Sequence, residues 1–420
     1  MLLRSRLKRI LRKIFRLHRE KGSFSLTTSY IFKIFSNKFT LFSSHLYGAR
    51  HTFLPSDRQQ RKQRRMEAHI QSKAVLAIRV AGGVGDLLVI ARFIRDLQAE
   101  AGPFIFDIFC VHPKIAQWIF SNVPGFENSE FDTVMHIGKL RAFYDAELHI
   151  SQTVTVAYKD KKETPLNRYP LSKIFQAVAR ASQELHLYIA NQPFLDNSLG
   201  RVAVYSNASR RNFLHHMASI HYGDDLFPIP SNTGALDRFA LQGKRWVTVH
   251  NGFDTNFIVS GRQATKCYPH FDSVLAIIKQ ARPDLIIIQI GASNSTKLRH
   301  ADVDMISQTT LQEVTAVLQG SMLHLDNESG LVHLSACLGT QSIVVFGPTP
   351  SDYFAYPNNT SINPTFCGGC WWINELWMDH CSRNLPSAEC MTTIKPEYIA
   401  QAFLERLEKI ESNLEGSKNP

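Results

Sequence analysis

The sequence has no run of about 18 consecutive apolar residues, the length a membrane-spanning helix needs. The aromatic clusters between Phe24 and Phe53 are broken by Lys33, Lys38 and Arg50. No repeat of about 20–50 residues is visible, which excludes a solenoid. No apolar core and small-residue cleavage site follow the basic N-terminus, so a secretory signal is not expected. Cysteine is scarce, with seven in 420 residues, and four of the seven lie between Cys367 and Cys390. Acidic residues are nearly missing from one region alone. Of 47 Lys and Arg, 18 fall in residues 1–73, where Glu20, Asp57 and Glu67 are the only acids, so that stretch carries +15 of a chain total of +11. The remainder is mildly acidic, at −4, a poor balance for a nucleic-acid binder, and no nucleic-acid partner is expected.

The basic stretch opens with an amphipathic pattern. In Met1–Lys21, Leu3, Leu7, Ile10, Leu11, Ile14 and Leu17 fall at helical spacing, with Arg4, Lys8, Arg12, Arg16 and Arg19 between them. Such a helix can lie in the headgroup region of an anionic membrane, each Lys or Arg contributing about 1 kcal/mol. The same pattern fits a helix packed on the protein body or a transit peptide. Gln59–Arg65 (QQRKQRR) reads as a solvated linker.

From Ala74 onward, strand and helix signals alternate. Val75–Val80, Phe104–Val111, Thr133–Ile137 and Ala146–Ile150 read as strands, and Asp86–Glu100 and Leu171–Ala190 as helices. Leu195–Leu241 resists assignment. A second series begins at Trp246–His250 and continues through a helix near Phe271–Ala281, strand Leu285–Ile290 and helix Leu311–Leu318. It ends with strand Met322–Asp326, helix Gly330–Leu338, strand Ile343–Phe346 and helix Pro396–Ile410. Thr310 with Glu313 three residues on marks a helix start, and Gly320 its end. Two βαβ series predict an α/β protein of two doubly wound, Rossmann-like domains with a ligand cleft between them. The expected division is an N-terminal extension, 1–73, a first Rossmann-like domain, 74–241, a second with the four-cysteine segment, 242–411, and a tail, 412–420.

Three motifs carry chemistry. Ala81-Gly82-Gly83-Val84-Gly85-Asp86 joins a strand to a helix, but Leu88 stands where a dinucleotide fingerprint has its third glycine, which argues against NAD. Asp86 reads either as a helix cap or as a carboxylate facing the cleft from a strand's carboxyl end. In Leu325–Gly347, Ser329 is placed as an N-cap, and the helix from Gly330 offers free N–H groups and a positive dipole end to a diphosphate. Glu328 can accept from ribose hydroxyls, and His333 lies one turn in, either facing the ligand or as a satisfied core residue. The third motif is Cys367-x₂-Cys370-x₁₀-Cys381-x₈-Cys390, interleaved with Trp371, Trp372 and Trp377. Four thiolates point to a closed structural metal site, zinc first and iron second, with buried structural thiols as the alternative.

Taken together these motifs resemble glycosyltransferase family 9, the bacterial heptosyltransferases. The resemblance rests on Gly85-Asp86-Leu87-Leu88, on Lys266-Cys267-Tyr268-Pro269, on Glu328–Gly339 with Phe346-Gly347-Pro348-Thr349, and on the four cysteines with Cys390-Met391 and Ile394–Ile399. Glu328 departs from the family's usual Asp, and Gln341 from its frequent Pro. The resemblance implies a GT-B fold and inverting transfer of a sugar, with heptose from ADP-heptose as the expected donor. It implies Asp86 as general base, and Lys266, Glu328, Ser329, Gly330 and His333 as donor-binding residues, with no cofactor needed for catalysis. The expected acceptor is a cell-surface glycan such as lipopolysaccharide core, or alternatively an autotransporter protein. A nucleotide-binding regulatory protein without turnover is a rival reading. The expected location is cytoplasmic, peripheral on the inner membrane.

Deleting residues 1–21 is expected to release the protein from anionic liposomes and leave its fold intact. Cosedimentation compares the two chains, and unchanged binding after the deletion removes the membrane role.

Overall fold

A computed structural model describes residues 55–137, 139–160, 164–167, 170–253 and 263–416. The amphipathic segment Met1–Lys21 lies outside the described residues. The first described element is helix α1 (Pro55–Ile70). It is followed by β1 (Val75–Val80), α2 (Val84–Ala101), β2 (Ile105–Cys110), α3 (Pro113–Phe120), β3 (Phe126–Phe131), β4 (Ala146–Ile150) and β5 (Val154–Lys159). The five strands form one sheet in the order β3-β2-β1-β4-β5, parallel except for the antiparallel β4–β5 pair. Helices α4 (Leu171–Glu184) and α5 (Asp196–Tyr205) lead toward the second sheet.

That sheet is built from β6 (Trp246–Val249), β7 (Ile286–Gln289), β8 (Val303–Asp304), β9 (His324–Asn327), β10 (Ser342–Val345) and β11 (Thr360–Ile362). Helices α6 (Phe271–Ala281), α7 (Leu311–Gln319) and α8 (Gly330–Leu338) connect them, and α9 (Pro396–Gly416) closes the chain. Its order is β11-β10-β9-β6-β7-β8, all parallel. In each sheet the chain reverses direction at its first strand, β1 beside β4 and β6 beside β9. In open α/β sheets, ligands bind outside the carboxyl ends of the strands at such a point. The two-domain α/β expectation holds. Among the described residues no helix is long and apolar enough to cross a membrane.

Core packing follows the patterns that set the elements. The apolar stripe of α9, Ile399, Phe403 and Leu407, packs with Val274, Leu275 and Ile278 of α6 under the second sheet. Each such side chain contributes about 1.5–3 kcal/mol by leaving water. The start of α7 is the reciprocal cap its sequence announces: Thr310 Oγ1 accepts from Glu313 N–H, and Glu313 Oε2 accepts from Thr310 N–H. One buried cluster runs through both domains, joining Leu88, Ala91 and Ile94 of α2 to Val332, Leu334 and Cys337 of α8.

Three expectations need correction. Thr133–Ile137 is not a strand, because β3 already occupies Phe126–Phe131 and the chain turns into a short helix, Asp132–Ile137, whose Val134 and Met135 pack with Ala68 and Tyr144. Leu171–Ala190 breaks at Leu185 into α4 and a short helix, His186–Ala190. Gln59–Arg65 is no solvated linker. It forms the middle of α1, whose arginines reach acids on the first sheet. Arg64 makes a two-pronged pair with Asp107, at 2.9 and 2.6 Å, and Arg65 bonds Asp145 at 2.7 Å and Asp160 at 2.6 Å. Arg61 reaches Asp57, Asp107 and Glu130, and His69 reaches Asp145. Asp107 and Asp145 are fully buried, so α1 supplies the cations that let them stay in the sheet.

Removing one partner of a buried ion pair strands the other charge, at a cost of about 3–5 kcal/mol. Arg64→Met is therefore expected to lose about 3 kcal/mol of stability in chemical denaturation. A loss below about 1 kcal/mol would show that α1 is only peripheral to the first domain.

Candidate active site

A cleft of about 610 Å³ opens between the two sheets, within the range usual for small-molecule sites. Asp86, Lys266, Glu328, Ser329, Gly330 and His333, all singled out from sequence, line it. The fold brings them together because each follows or adjoins the end of β1, β6 or β9.

The amino ends of α2 and α8 meet across the domain boundary. A Cβ added to Gly85 would stand 2.6 Å from His333 Cδ2 and 3.3 Å from Gly330 Cα, and one added to Gly330 would stand 3.2 Å from the Gly85 nitrogen. A side chain at Gly85 would force His333 to shift, and one at Gly330 would press on the α2 backbone. Two positive helix ends thus converge on one cleft wall.

Asp86 is not the N-cap of α2. Gly83 holds that place, and Asp86, three residues on, accepts the Gly83 N–H at 3.0 Å. The other carboxylate oxygen accepts from Arg210 Nη2 at 2.7 Å and Gln152 Nε2 at 3.4 Å. Arg210 is 1% exposed, also donates to the Ser151 carbonyl, and leaves its Nη1 buried without a hydrogen bond. Nearby, burial pushes the Asp196 carboxyl up to about 7, Arg210 opposing and Asp86 adding to the shift. A carboxyl that holds its proton near neutrality is a weak partner, which leaves Asp86 as the main counter-charge of Arg210. Reading the sequence missed Arg210 because it lies in the unassigned stretch 195–241, between α5 and a short helix, Phe213–Ala218.

On the second domain, Ser329 is the N-cap of α8, accepting from Leu331 N–H at 3.1 Å. Its hydroxyl donates to buried Asp326, which also bonds His250 Nδ1 at 2.8 Å and His324 Nε2 at 3.2 Å. Burial acts to raise the Asp326 carboxyl, but His250 and His324 overcome it and hold the group at about 2. Lys266 Nζ donates to Glu328 Oε2 at 3.1 Å, and Glu328 Oε1 lies 3.9 Å from His333 Nε2. His333 is held well below the usual histidine range, first by burial and then by Arg92, Arg210 and Lys266. It is a neutral imidazole. His250 and Asp326 also went unnoticed in sequence; the signal available was their place at the ends of β6 and β9.

The cysteine segment forms another wall. Trp371, Trp372, Trp377 and Met378 line the cleft. The Cys367–Cys370 knuckle turns on Gly368 and Gly369, at φ +154° and +64°, and Gly369 N–H donates to the Gly347 carbonyl. Burial pushes the Cys390 thiol up to about 12, with Cys367, Cys370 and Cys381 adding to the shift, and Cys390 also shares a hydrogen bond with Cys367. Yet among the described residues no three His, Cys, Asp or Glu side chains stand in metal-binding geometry. The donor chemistry, one buried thiol with three others near it, is of the kind a thiophilic ion takes, although the sulfurs do not stand in ligating positions.

Residues 254–367 match the model of glycosyltransferase family 9 (heptosyltransferase). The chain is thus similar to glycosyltransferase family 9 over about a quarter of its length. Its GT-B fold is shared with the bacterial iron-containing dodecameric glycosyltransferase TibC from enterotoxigenic E. coli H10407. The two are 13% identical, with a TM-score of 0.50 over 81% of this chain and 77% of TibC. TibC in complex with ADP-D-beta-D-heptose aligns over the same shares, at 12% identity and TM-score 0.50. E. coli ADP-heptose lps heptosyltransferase II aligns over 80% of this chain and 99% of its own, at 14% identity and TM-score 0.48. No curated protein sequence matches the chain.

Proposed function

We propose that this glycosyltransferase moves a sugar with inversion from a nucleotide-activated donor, heptose from ADP-heptose being the best candidate, onto a cell-surface glycan such as lipopolysaccharide core. The observation that carries the reading is the meeting of an acid and an anion site across one cleft. Asp86 stands at the start of α2 on one domain, and the capped start of α8 with Lys266 stands on the other.

The chemistry then divides between the domains. The acceptor hydroxyl attacks the anomeric carbon as the bond to the diphosphate breaks on the opposite face. Its proton passes to Asp86, which Arg210 and the Gly83 N–H hold in place. Positioned base catalysis of this kind is worth about 10²–10⁴-fold. Negative charge grows on the departing diphosphate, where the α8 N–H groups and Lys266 stabilise it without a metal. To reach a phosphate, Lys266 must exchange Glu328 for it, which frees the Glu328 carboxylate to accept from ribose hydroxyls. Small residues after β7, Gly291, Ala292 and Ser293, leave room for the base at the far end of the cleft.

The grouped cysteines and the tryptophans they carry into the cleft favour a second acceptor, a protein such as an autotransporter, since that wall differs in kind from the rest. The cysteines also support a structural iron or zinc. A bound ion would tie Cys367, Cys370, Cys381 and Cys390 in a closed thiolate shell and brace the tryptophan wall.

Asp86→Asn keeps an oxygen for the Gly83 N–H but cannot take a proton. Steady-state kinetics with ADP-heptose and purified acceptor should show turnover reduced about 100-fold or more, with donor affinity nearly unchanged. Thermal unfolding measured in parallel separates loss of the base from loss of the Arg210 pair. A nearly fully active, folded variant would return Asp86 to a capping role.

Elemental analysis of purified protein should find about one equivalent of iron or zinc, lost when Cys367 and Cys370 are both replaced by Ser. Folded, active protein free of metal rules the site out.

A further inference from the structure

His333 has a second side, facing away from the cleft, that the reading above does not use. Its Nδ1 lies 2.6 Å from the Tyr356 hydroxyl, and the same oxygen lies 2.6 Å from Arg92 Nη2. Tyr356 is 3% exposed and Arg92 fully buried. Arg92 belongs to α2 on the first domain, whereas Tyr356 and His333 belong to the second, so this chain of contacts crosses the interface. The Arg92 guanidinium also lies 5.3 Å from the Tyr356 ring centre, and its Nη1 donates to Asp225 at 3.1 Å. Asp225 has two further donors, Arg211 Nε at 2.9 Å and the Tyr222 hydroxyl.

Donor and acceptor counting settles the direction of each bond. A guanidinium has no acceptor, so Arg92 must donate and the Tyr356 oxygen must accept. The one proton of Tyr356 then needs an acceptor, and the contact that offers one is His333 Nδ1. If Nδ1 carried the proton instead, Tyr356 would accept twice and leave its own buried O–H unpaired, a cost of about 1–3 kcal/mol. The Cδ2 edge of the imidazole lies against Gly85, where an added side chain would displace the ring.

We propose that Arg92, acting through Tyr356, is a positioning residue that fixes His333 as the tautomer protonated on Nε2, making it a neutral hydrogen-bond donor to the departing diphosphate. The proposal rests on the transferase reading for its consequence and on the hydrogen-bond geometry for the tautomer. Because Arg92 and Gly85 both come from the first domain, His333 is set for donation only when the two domains are docked. The site thereby gains a donor that needs no protonation and does not change with pH through the neutral range.

The test uses full-length protein carrying ¹⁵N-labelled histidine, with the His333 signals identified by their loss in His333→Gln. Long-range ¹H–¹⁵N correlation spectra should show the proton on Nε2. Tyr356→Phe, which removes one oxygen, and Arg92→Met, which leaves Asp225 its other two donors, should each shift the signals toward the Nδ1-protonated form. In ADP-heptose turnover both variants should lose about tenfold in kcat with less than a twofold change in donor KM, at unchanged unfolding midpoint for Tyr356→Phe. A wild-type proton on Nδ1, or an Nε2–H pattern that survives Tyr356→Phe, overturns the positioning role. Unchanged kcat in Tyr356→Phe with a shifted tautomer overturns its part in catalysis. Absence of turnover with every nucleotide sugar would sink the transferase reading alone, since the spectra answer the tautomer question without it.

Discussion

The contact between Gly85 and Gly330 is the constraint on which the rest of the site depends. It brings two helix amino ends from different domains to one place, and helix dipoles act only within their last turn. A methyl group at Gly85 would collide with His333, and one at Gly330 would crowd the α2 backbone. The Asp86 carboxylate on α2, the capped amino end of α8 and the imidazole between them therefore share one spatial reference. The apolar cluster behind this contact, running from Leu88 to Leu334, holds the reference in place. The residues that line the cleft come from both domains, so accuracy at the domain boundary becomes accuracy in their relative placement.

Charge is handled alike at several places: the buried carboxylates Asp107, Asp145 and Asp326 are each reached by a cation or imidazole from another element. Asp107 and Asp145 in the first sheet take arginines from α1, Asp326 in the second takes His250 and His324, and Asp86 takes Arg210. The basic region preceding β1 is consequently of two kinds. Its last part, α1, is a structural partner of the first domain, so the excess of positive charge read from residues 1–73 overstates what is free to meet an anionic surface.

Much of the site was legible in sequence, because the ligand-facing residues of doubly wound folds follow strand ends and carry short motifs. Gly85-Asp86 and Glu328-Ser329-Gly330 with His333 are contiguous patterns, and their strands are apolar enough to be read. What stayed hidden depended on contacts between distant segments. Arg210 lies in a stretch with no periodic signal, and only the fold brings it 2.7 Å from Asp86. Arg61, Arg64 and Arg65 look like a solvated charge run until their partners, 43 to 95 residues away, are known. Thr133–Ile137 has the β-branched composition of a strand, but the place in the sheet is already filled by Phe126–Phe131, whose Glu127, Asn128, Ser129 and Glu130 disguise it. Local preference lost to the sheet's own order.

The cysteine segment shows how a structural feature can reach the chemistry without touching it. Gly347, between β10 and the Pro348-Thr349 turn, leaves no room for a side chain because Met391 Sδ and Cys390 Sγ lie against it. From the same loop, the Pro348 carbonyl accepts from Trp371 N–H, and Trp371 packs edge-on to Phe354 at 4.9 Å between ring centres. Trp372 is held at φ +51°, an uncommon conformation for a bulky residue, and packs against Trp377 and Phe194. Strain of that kind persists only where the surroundings over-determine it. Here the surroundings are the cysteine knuckle on one side and the α5 region on the other, with Asn197 Nδ2 donating to the Gly369 carbonyl at 2.6 Å. The tryptophan wall is therefore pinned from both domains, as His333 is. The cleft thus presents surfaces whose shape is set by domain docking, the tryptophan wall among them.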